Sequence, residues 1–228
     1  MYSSGFVQGT CPMLESLNVT ESDITDYDLA QILGGMRSIK ALKAGETGFG
    51  TMSLAALRPH FHELQKLSIS TFKRGKPNPA AATMLREILV SCENLVKLNS
   101  PYVRAKDMMM DNTPWVATKL RCLSLTIKFP RNGNPSLHKA VFKQISRLNS
   151  LEILSFMKDN ADYHSLDFRL SHGMGQLKRL SRLEELNLEG TTQHMKKVDF
   201  LWLFENLNSF KRFYGKPNQD PSKLRKFD

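Results

Sequence analysis

Several features are scarce in this sequence, and each scarcity excludes a class of protein. Three cysteines (Cys11, Cys92 and Cys122) among 228 residues are too few and too scattered for a disulfide framework, and no Cys-x-x-Cys pair occurs. We therefore expect a reducing compartment, the cytoplasm and/or the nucleus. The densest apolar run, at 200–204, is far shorter than a membrane span. The first ten residues lack the basic and apolar regions of a signal peptide.

Basic residues are missing from the start of the chain but are in excess overall. The sequence has 32 Lys and Arg against 22 Asp and Glu, a net charge of +10, yet residues 1–36 hold five acidic residues and no Lys or Arg. The remaining chain is strongly basic, which favours nucleic acid, an anionic membrane surface or an acidic protein face as partner. The alternative is a charge that serves solubility alone, because no single run of Lys and Arg stands out.

The pattern Leu-x-x-Leu-x-Leu repeats along the chain. Its copies begin 25 to 32 residues apart, at Leu14, Ile39, Leu64, Leu95, Leu120, Leu151, Leu183 and, in degenerate form, Phe210. Another apolar residue stands three positions before each copy, from Cys11 to Leu207. Each copy predicts a short strand whose alternate side chains point inward. One such strand cannot bury its apolar side alone, so we expect the copies to stack in parallel around a continuous core.

The spacing between copies predicts an α/β leucine-rich-repeat solenoid, with a parallel sheet on its concave face and helices in the crossovers. We expect a single domain over 1–228, the last of its eight repeats being a degenerate cap. The repeats lie near 11–35, 36–60, 61–91, 92–116, 117–147, 148–179, 180–206 and 207–228. Ser136 is the expected N-cap of the helix in the fifth repeat. No good helix can be assigned to 101–117.

The first repeat resembles the repeats of leucine-rich-repeat F-box proteins. Cys11-Pro-x-Leu-x-x-Leu17 and then Ile24-Thr-Asp-x-x-Leu-x-x-Ile-Leu33 follow that family's pattern, and 92–98 repeats the opening. Residues 115–120 and 213–217 are similar to the large F-box-like group in fungi. The resemblance implies a ribonuclease-inhibitor-like horseshoe. It also implies the substrate-binding repeat domain of an F-box ubiquitin-ligase receptor.

The sequence departs from that family in its cysteines and in its start. The family's opening Cys is Met36, Phe61 or Ala117 in other repeats, and its second Cys is Ser22 in the first. The F-box itself is absent from these 228 residues, since a repeat begins by residue 11. We expect the repeat half of a longer protein, or a paralogue that lost its adaptor-binding module. A Skp-type adaptor is a partner only if an upstream F-box exists.

Candidate catalytic and metal-binding patterns are weak. His60-x-His62 lacks a third ligand nearby and is read as surface histidines. The glycines at 45, 48 and 50 do not match a phosphate-binding loop and are read as a turn that needs positive φ. Ser171-His172-Gly173 is not a nucleophile elbow, and Cys122 has no base or cation implied beside it. We expect a chain that is not an enzyme and has no cofactor or metal.

The outward positions of the strands are better candidates for a binding surface. Lys43, Lys66 and Lys97 fall on successive strands and predict one basic stripe; the alternative is a solvated face with splayed lysines. The other candidate residues on this face are Asn99, Ser124, Glu185, Arg212 and Tyr214. The longer repeats place inserts after strands 3, 5 and 6, at 72–79, 129–135 and 158–164. These inserts add Lys73, Arg74, Lys76 and Arg131 as candidates on one rim; the alternative is tolerated surface loops.

The end of the chain is rich in aromatic residues. They are Phe200, Trp202, Phe204, Phe210, Phe213 and Tyr214. We expect them to close the open end of the core, the alternative being an exposed binding patch.

These observations favour a non-catalytic protein–protein recognition module whose target is a protein with acidic character. The second hypothesis is a stand-alone repeat scaffold with no ligase connection. The third is a basic binder of nucleic acid, which is disfavoured because the strand faces place only Tyr214 beside Arg212. A membrane is not an expected partner.

Overall fold

Eight parallel strands form one continuous sheet in the computed structural model, which describes residues 13–69, 80–110, 113–130, 134–156 and 165–216. The spatial order of the strands is their order along the chain. The strands are β1 Ser16–Asn18, β2 Ala41–Ala44, β3 Lys66–Ile69, β4 Lys97–Arg104, β5 Cys122–Lys128, β6 Ile153–Phe156, β7 Glu185–Asn187 and β8 Arg212–Tyr214. The predicted α/β leucine-rich-repeat solenoid is confirmed.

The strand register is the one that the repeated pattern predicts. Leu42 lies opposite Leu17 and Leu67, and Leu123 lies opposite Leu98. From β2 to β7 the leucines of this row are at most 1% exposed. Because side chains alternate between the two faces, a slip of one residue would carry the whole row into solvent. The burial of the leucines therefore fixes which residues face outward.

The crossovers contain helices of unequal length. They are α1 Asp26–Gly34, α2 Thr51–Leu57, α3 Ala81–Ser91, α4 Ala105–Met108, α5 Pro135–Ile145 and α6 Lys197–Asn206. Short 3₁₀ turns lie at Arg58–His60, Leu170–His172 and Met174–Arg179. None of the helices within these described ranges is long and apolar enough to cross a membrane.

The start of α5 differs from the expectation. Its N-cap is Asn134, whose side chain accepts a hydrogen bond from the backbone N–H of Ser136 at 2.9 Å. Pro135 occupies the first helical position, where its fixed φ suits the helix and its missing N–H costs nothing. The helix therefore begins one residue before Ser136.

Buried glutamines join neighbouring repeats on the side away from the sheet. The side-chain oxygen of Gln144 accepts from the backbone N–H of Trp115 at 3.2 Å. Likewise, the side-chain oxygen of Gln193 accepts from the backbone N–H of Phe168 at 3.1 Å. Because these crossover segments lack regular helical bonding, the glutamines supply partners that their buried backbone groups need.

The glycine-rich loop between β2 and α2 serves packing rather than an unusual turn. The residue with positive φ is Glu46, at 58°, while the glycines keep ordinary conformations. A Cβ on Gly48 would lie 2.7 Å from the backbone nitrogen of Asp26. The backbone N–H of Gly50 donates to the Asp26 carboxylate at 2.9 Å. The expectation of positive φ at these glycines is wrong; small residues let the loop approach the start of α1.

Aromatic residues gather at the β8 end of the sheet. Phe200 packs edge to face on both Phe204 and Phe213, with ring centroids 5.1 Å apart in each pair. Four of the six, Phe200, Trp202, Phe210 and Phe213, are partly buried against the core. Phe204 is 50% exposed and Tyr214 is 44% exposed. The set thus covers the core in part and leaves two of its rings about half exposed.

Candidate binding face of the sheet

Two rows of outward-facing residues cross the concave face, which we define as the side of the sheet that carries these rows. The first row runs Ser16, Ala41, Lys66, Lys97, Cys122, Ile153, Glu185, Arg212, and the second runs Asn18, Lys43, Ser68, Asn99, Ser124, Ser155, Asn187, Tyr214. Every member is exposed or half-buried. The second row carries mostly small polar side chains, so the face is open to a partner along its length.

The predicted basic stripe is present in altered form. Lys66 and Lys97 are direct neighbours in the first row. Lys43 lies in the second row, opposite Ser68, and is therefore displaced by two residues along the strand. The three lysines form a triangle across β2–β4 rather than one line, because the lysine of β2 is its third residue and those of β3 and β4 are their first.

This lysine triangle has no counter-charge among the residues that the structure describes. Lys43, Lys66 and Lys97 are exposed, and none of them forms an ion pair within the described part of the chain. Strands in a sheet lie about 4.8 Å apart, so Lys66 and Lys97 repel each other weakly in water. A like-charged pair directly opposite across two strands is unfavourable unless an anion lies between them.

The far end of the concave face is electrically neutral. Glu185 and Arg212, both candidate binding residues, pair with each other at 2.9 Å. Tyr214 stands beside them in the second row, opposite Asn187. The structure therefore separates the predicted site into a cationic part on β2–β4 and a self-neutralised part on β7 and β8.

Small polar groups form the floor between these two parts. Asn99 and Ser124 are half-buried neighbours in the second row, and neither side chain has a hydrogen-bond partner among the described residues. Asn187 differs, because its side-chain oxygen accepts from the backbone N–H of Glu189 at 2.8 Å. The side chains of Asn99 and Ser124 are thus free to donate to and accept from a bound molecule.

Sequence reasoning missed the extension of β4 and β5 beyond the other strands. The two strands are paired a second time past a bulge, and Arg104 lies opposite Lys128. The irregular segment after Ser100 concealed this pairing in the sequence. The alternation of Leu123, Leu125 and Ile127 with polar residues was the signal that could have shown it.

The predicted rim residues Lys73, Arg74, Lys76 and Arg131 lie outside the described residues. Their role in binding stays a prediction. The inserts at 72–79 and 158–164 fall there completely, as do residues 131–133 of the insert at 129–135.

Ion pairs join neighbouring repeats along the edge of the sheet where the strands begin. Lys40 pairs with Glu15 at 2.6 Å, and Lys211 pairs with Glu184 at 3.0 Å. Arg121 forms two hydrogen bonds with Glu152, each at 2.8 Å, and this contact lowers the pKa of the Glu152 carboxyl. Within each of these exposed pairs, the basic and the acidic side chain neutralise each other. This edge therefore offers a partner less unpaired charge than the lysine triangle does.

The candidate catalytic groups are not arranged for chemistry. Cys122, the cysteine considered in the sequence, is half-buried at the start of β5. Cys92 is buried, and burial raises its pKa to about 12, which keeps its thiol protonated. Ser171 Oγ lies 3.1 Å from Nδ1 of His172, but the group facing Nε2 is the Arg169 guanidinium, at 3.3 Å. A cation in that place opposes the imidazolium that a general base must form. Burial also lowers the pKa of His172.

The histidine pair was misread as a surface pair. His62 is exposed, but His60 is only 6% exposed. His60 lies in the turn after α2, whose last residues pack into the core. Within the described ranges, no group of three or more His, Cys, Asp or Glu side chains is placed to hold a metal ion.

Comparisons with known proteins give no family. No family model matches the chain, and no curated protein matches it. Among solved structures, an internalin from Listeria monocytogenes str. 4b F2365 is similar over 90% of this chain, with 14% identity and a TM-score of 0.39. The chain spans 62% of the length of that internalin. The fold therefore rests on the sheet and its register.

Proposed function

We propose that this chain is a non-catalytic protein-recognition module whose concave face binds an acidic protein surface. The observation that carries the proposal is the lysine triangle: two lysines lie directly opposite each other, a third lies diagonal to them, and none has an acidic partner among the residues that the structure describes. Such an arrangement is stabilised when a carboxylate or phosphate lies among the three ammonium groups.

The surroundings of the triangle support binding of a protein rather than of a small molecule. The two rows of the concave face are continuous across eight strands, so many side chains can meet one partner. Asn99 and Ser124 next to the triangle supply uncommitted hydrogen-bonding groups. Charge of one sign on a rigid face raises the association rate and selects partners of the opposite sign.

Within this function, the more specific role that we propose is that of the substrate-binding repeat domain of an F-box ubiquitin-ligase receptor. Its support is the family-like pattern of the first repeat, and part of that pattern has a structural explanation. Thr25 caps α1 and Asp26 binds the next repeat, so these residues serve the solenoid whatever its partner. A stand-alone scaffold without a ligase connection, or a basic binder of nucleic acid, is the alternative.

Charge reversal at the triangle tests the proposal. We expect Lys66→Glu with Lys97→Glu to abolish capture of acidic proteins from a nuclease-treated extract, and to leave the circular dichroism spectrum unchanged. The matched control is Arg147→Glu with Arg179→Glu, which changes the charge equally at exposed positions outside the sheet. Captured proteins would be quantified by mass spectrometry at two salt concentrations.

Two results would contradict the proposal. One is equal capture by both double variants, because binding would then follow net charge and not the concave face. The other is loss of all capture after nuclease treatment, which would identify a nucleic-acid binder with a steep salt dependence. The ligase role requires in addition that captured proteins accumulate when this protein is depleted from cells.

A further inference from the structure

We infer that a second copy of this chain docks on the exposed face of α6, so that the two α6 helices pack antiparallel about a two-fold axis at Leu201. The inference goes beyond the proposed function, because α6 lies in a crossover and not on the concave face. The resulting dimer would carry two concave faces.

The exposed face of α6 is apolar at its centre. Val198 is 60% exposed, Leu201 44% and Phe204 50%. These three residues follow one another at a spacing of three, so they lie on one side of the helix. The helix is held to the core from its other side, through the buried Asp199 and Leu203. The three apolar side chains therefore point away from the core.

The other described helices present a more polar surface. Among the described residues, α1 exposes one large apolar side chain, Tyr27, and α2 exposes one, Met52. The exposed residues of α5 include Lys139 and Lys143. A row of three exposed apolar side chains is thus particular to α6 within the described ranges, and a partner that covers it would remove that surface from water.

Two charged residues of opposite sign stand at the ends of this face. Lys197 precedes Leu201 by four residues, Glu205 follows it by four, and both are exposed. Residues four apart lie on the same side of a helix, so the two charges flank the apolar row. Neither charge forms an ion pair with another described residue.

An antiparallel copy of α6 matches this pattern residue by residue. When Leu201 lies opposite Leu201 of the second copy, Lys197 of each helix meets Glu205 of the other, and Val198 meets Phe204. A two-fold interface requires a surface that is complementary to itself, and this face meets that requirement in charge and in apolar content. A parallel pair of the same helices would instead bring like charges together.

The two charges are also placed against the dipole of their own helix. Lys197 is the first residue of α6, at the positive end of the helix dipole, and Glu205 is the last but one, near the negative end. An antiparallel neighbour places its negative end beside Lys197 and its positive end beside Glu205. Two positions that are unfavourable in a lone helix thus become favourable in the pair.

The mass of the protein in solution tests the inference. Sedimentation velocity at low ionic strength should show a mass that rises from 26.0 kDa towards twice that value as the protein concentration increases. We expect a dissociation constant on the order of 10–100 μM, because one helix pair buries less than the roughly 1,600 Å² of a standard interface.

A central substitution assigns the dimer to α6. Leu201→Glu should leave the chain monomeric, because two carboxylates would then meet at the axis. Met52→Glu replaces an apolar residue of similar exposure on α2, so it is the matched control and should leave the dimer intact. Both variants should keep the circular dichroism spectrum of the wild type, since both positions are exposed.

Charge reversal tests the antiparallel arrangement. Lys197→Glu alone, or Glu205→Lys alone, should weaken the dimer about tenfold, because the two-fold axis turns both surface ion pairs into repulsive pairs. An equimolar mixture of the two single variants should recover the lost affinity. In that mixed dimer, each helix that carries two acidic residues faces a helix that carries two basic ones.

Three results would overturn the inference. A chain that stays monomeric up to about 0.5 mM, several times the largest dissociation constant expected, would mean that something other than a second copy covers the face. A dimer that survives Leu201→Glu would use another surface. Failure of the mixed variants to recover affinity would show that the helices do not lie antiparallel. The proposed function is tested separately, since Lys66 and Lys97 are unchanged in all these variants.

Discussion

At the scale of single residues, the carboxylate of Asp26 holds two repeats together. It accepts hydrogen bonds from the Ser53 hydroxyl at 2.6 Å and from the backbone N–H groups of Gly50, Met52 and Ser53. Burial alone would raise the pKa of Asp26, but the hydrogen bonds from Ser53 and the backbone outweigh it and lower the pKa below its usual value. The charged form is therefore the one that the fold stabilises.

We predict that Asp26→Ala costs about 2 kcal/mol of unfolding free energy at pH 7, the scale of hydrogen bonds to a charged group. Because the folded-state pKa is depressed, this stability is present above the unfolded pKa and is lost as the pH falls through the folded pKa. In urea denaturation, the unfolding free energies of the wild type and the variant should therefore converge as the pH falls below about 3.8, the ordinary pKa of an aspartate. Asp23→Ala, at an exposed position, is the control; a gap that persists at low pH would refute the role of the charge.

The contacts that Asp26 makes with the next repeat could not be predicted from the sequence. Asp26 stands in the family-like segment Ile24-Thr25-Asp26, and α1 begins at this residue. Its contacts with Gly50 and Ser53 could not be predicted, because they depend on how closely two loops approach. His60 was misread for the same reason: adjacency in sequence does not show which of two histidines the turn buries.

At the scale of elements, the strands were the most predictable part of the chain. Alternating side chains and the need to bury leucine fix both the register and the outward residues. The ends of β4 and β5 were not predictable, since pairing past the bulge depends on two strands together. The predicted stripe is a triangle because Lys43 occupies the second outward position of its copy of the pattern, whereas Lys66 and Lys97 occupy the first.

The register makes a quantitative prediction for β4. Leu98 lies between Leu67 and Leu123 and is 1% exposed. Leu98→Ala should therefore destabilise the protein by roughly 2–5 kcal/mol, through lost burial and the cavity left behind. Asn99→Ala, one residue along and facing outward, should change the unfolding free energy by less than about 0.5 kcal/mol. Thermal or urea unfolding of both variants measures this, and the reverse order of effects would show that the two faces are exchanged.

At the scale of the whole molecule, stability in a solenoid comes from contacts between nearest neighbours, so it varies along the chain. Inner strands have a neighbour on each side, whereas β1 and β8 have one each within the described residues. Their apolar positions show the difference: Leu14 is 39% exposed, while the equivalent Ile39 is buried completely. Phe213 is likewise only partly buried, and the equivalent Leu186 is buried completely.

This gradient predicts the order of local opening. Amide hydrogens in β1 and β8 should exchange with solvent through local fluctuations, and those in β3 to β6 only through opening of the larger unit. Hydrogen exchange followed by mass spectrometry should therefore show protection that rises from both edges of the sheet to its middle. The lysine triangle lies on β2 to β4, and two of these three strands fall in the protected part. A partner would then meet charges that are already held in place and would lose little entropy in ordering them. Equal protection across all eight strands would mean that the edge strands are covered, and the rigidity of the binding face could not then be traced to its central position.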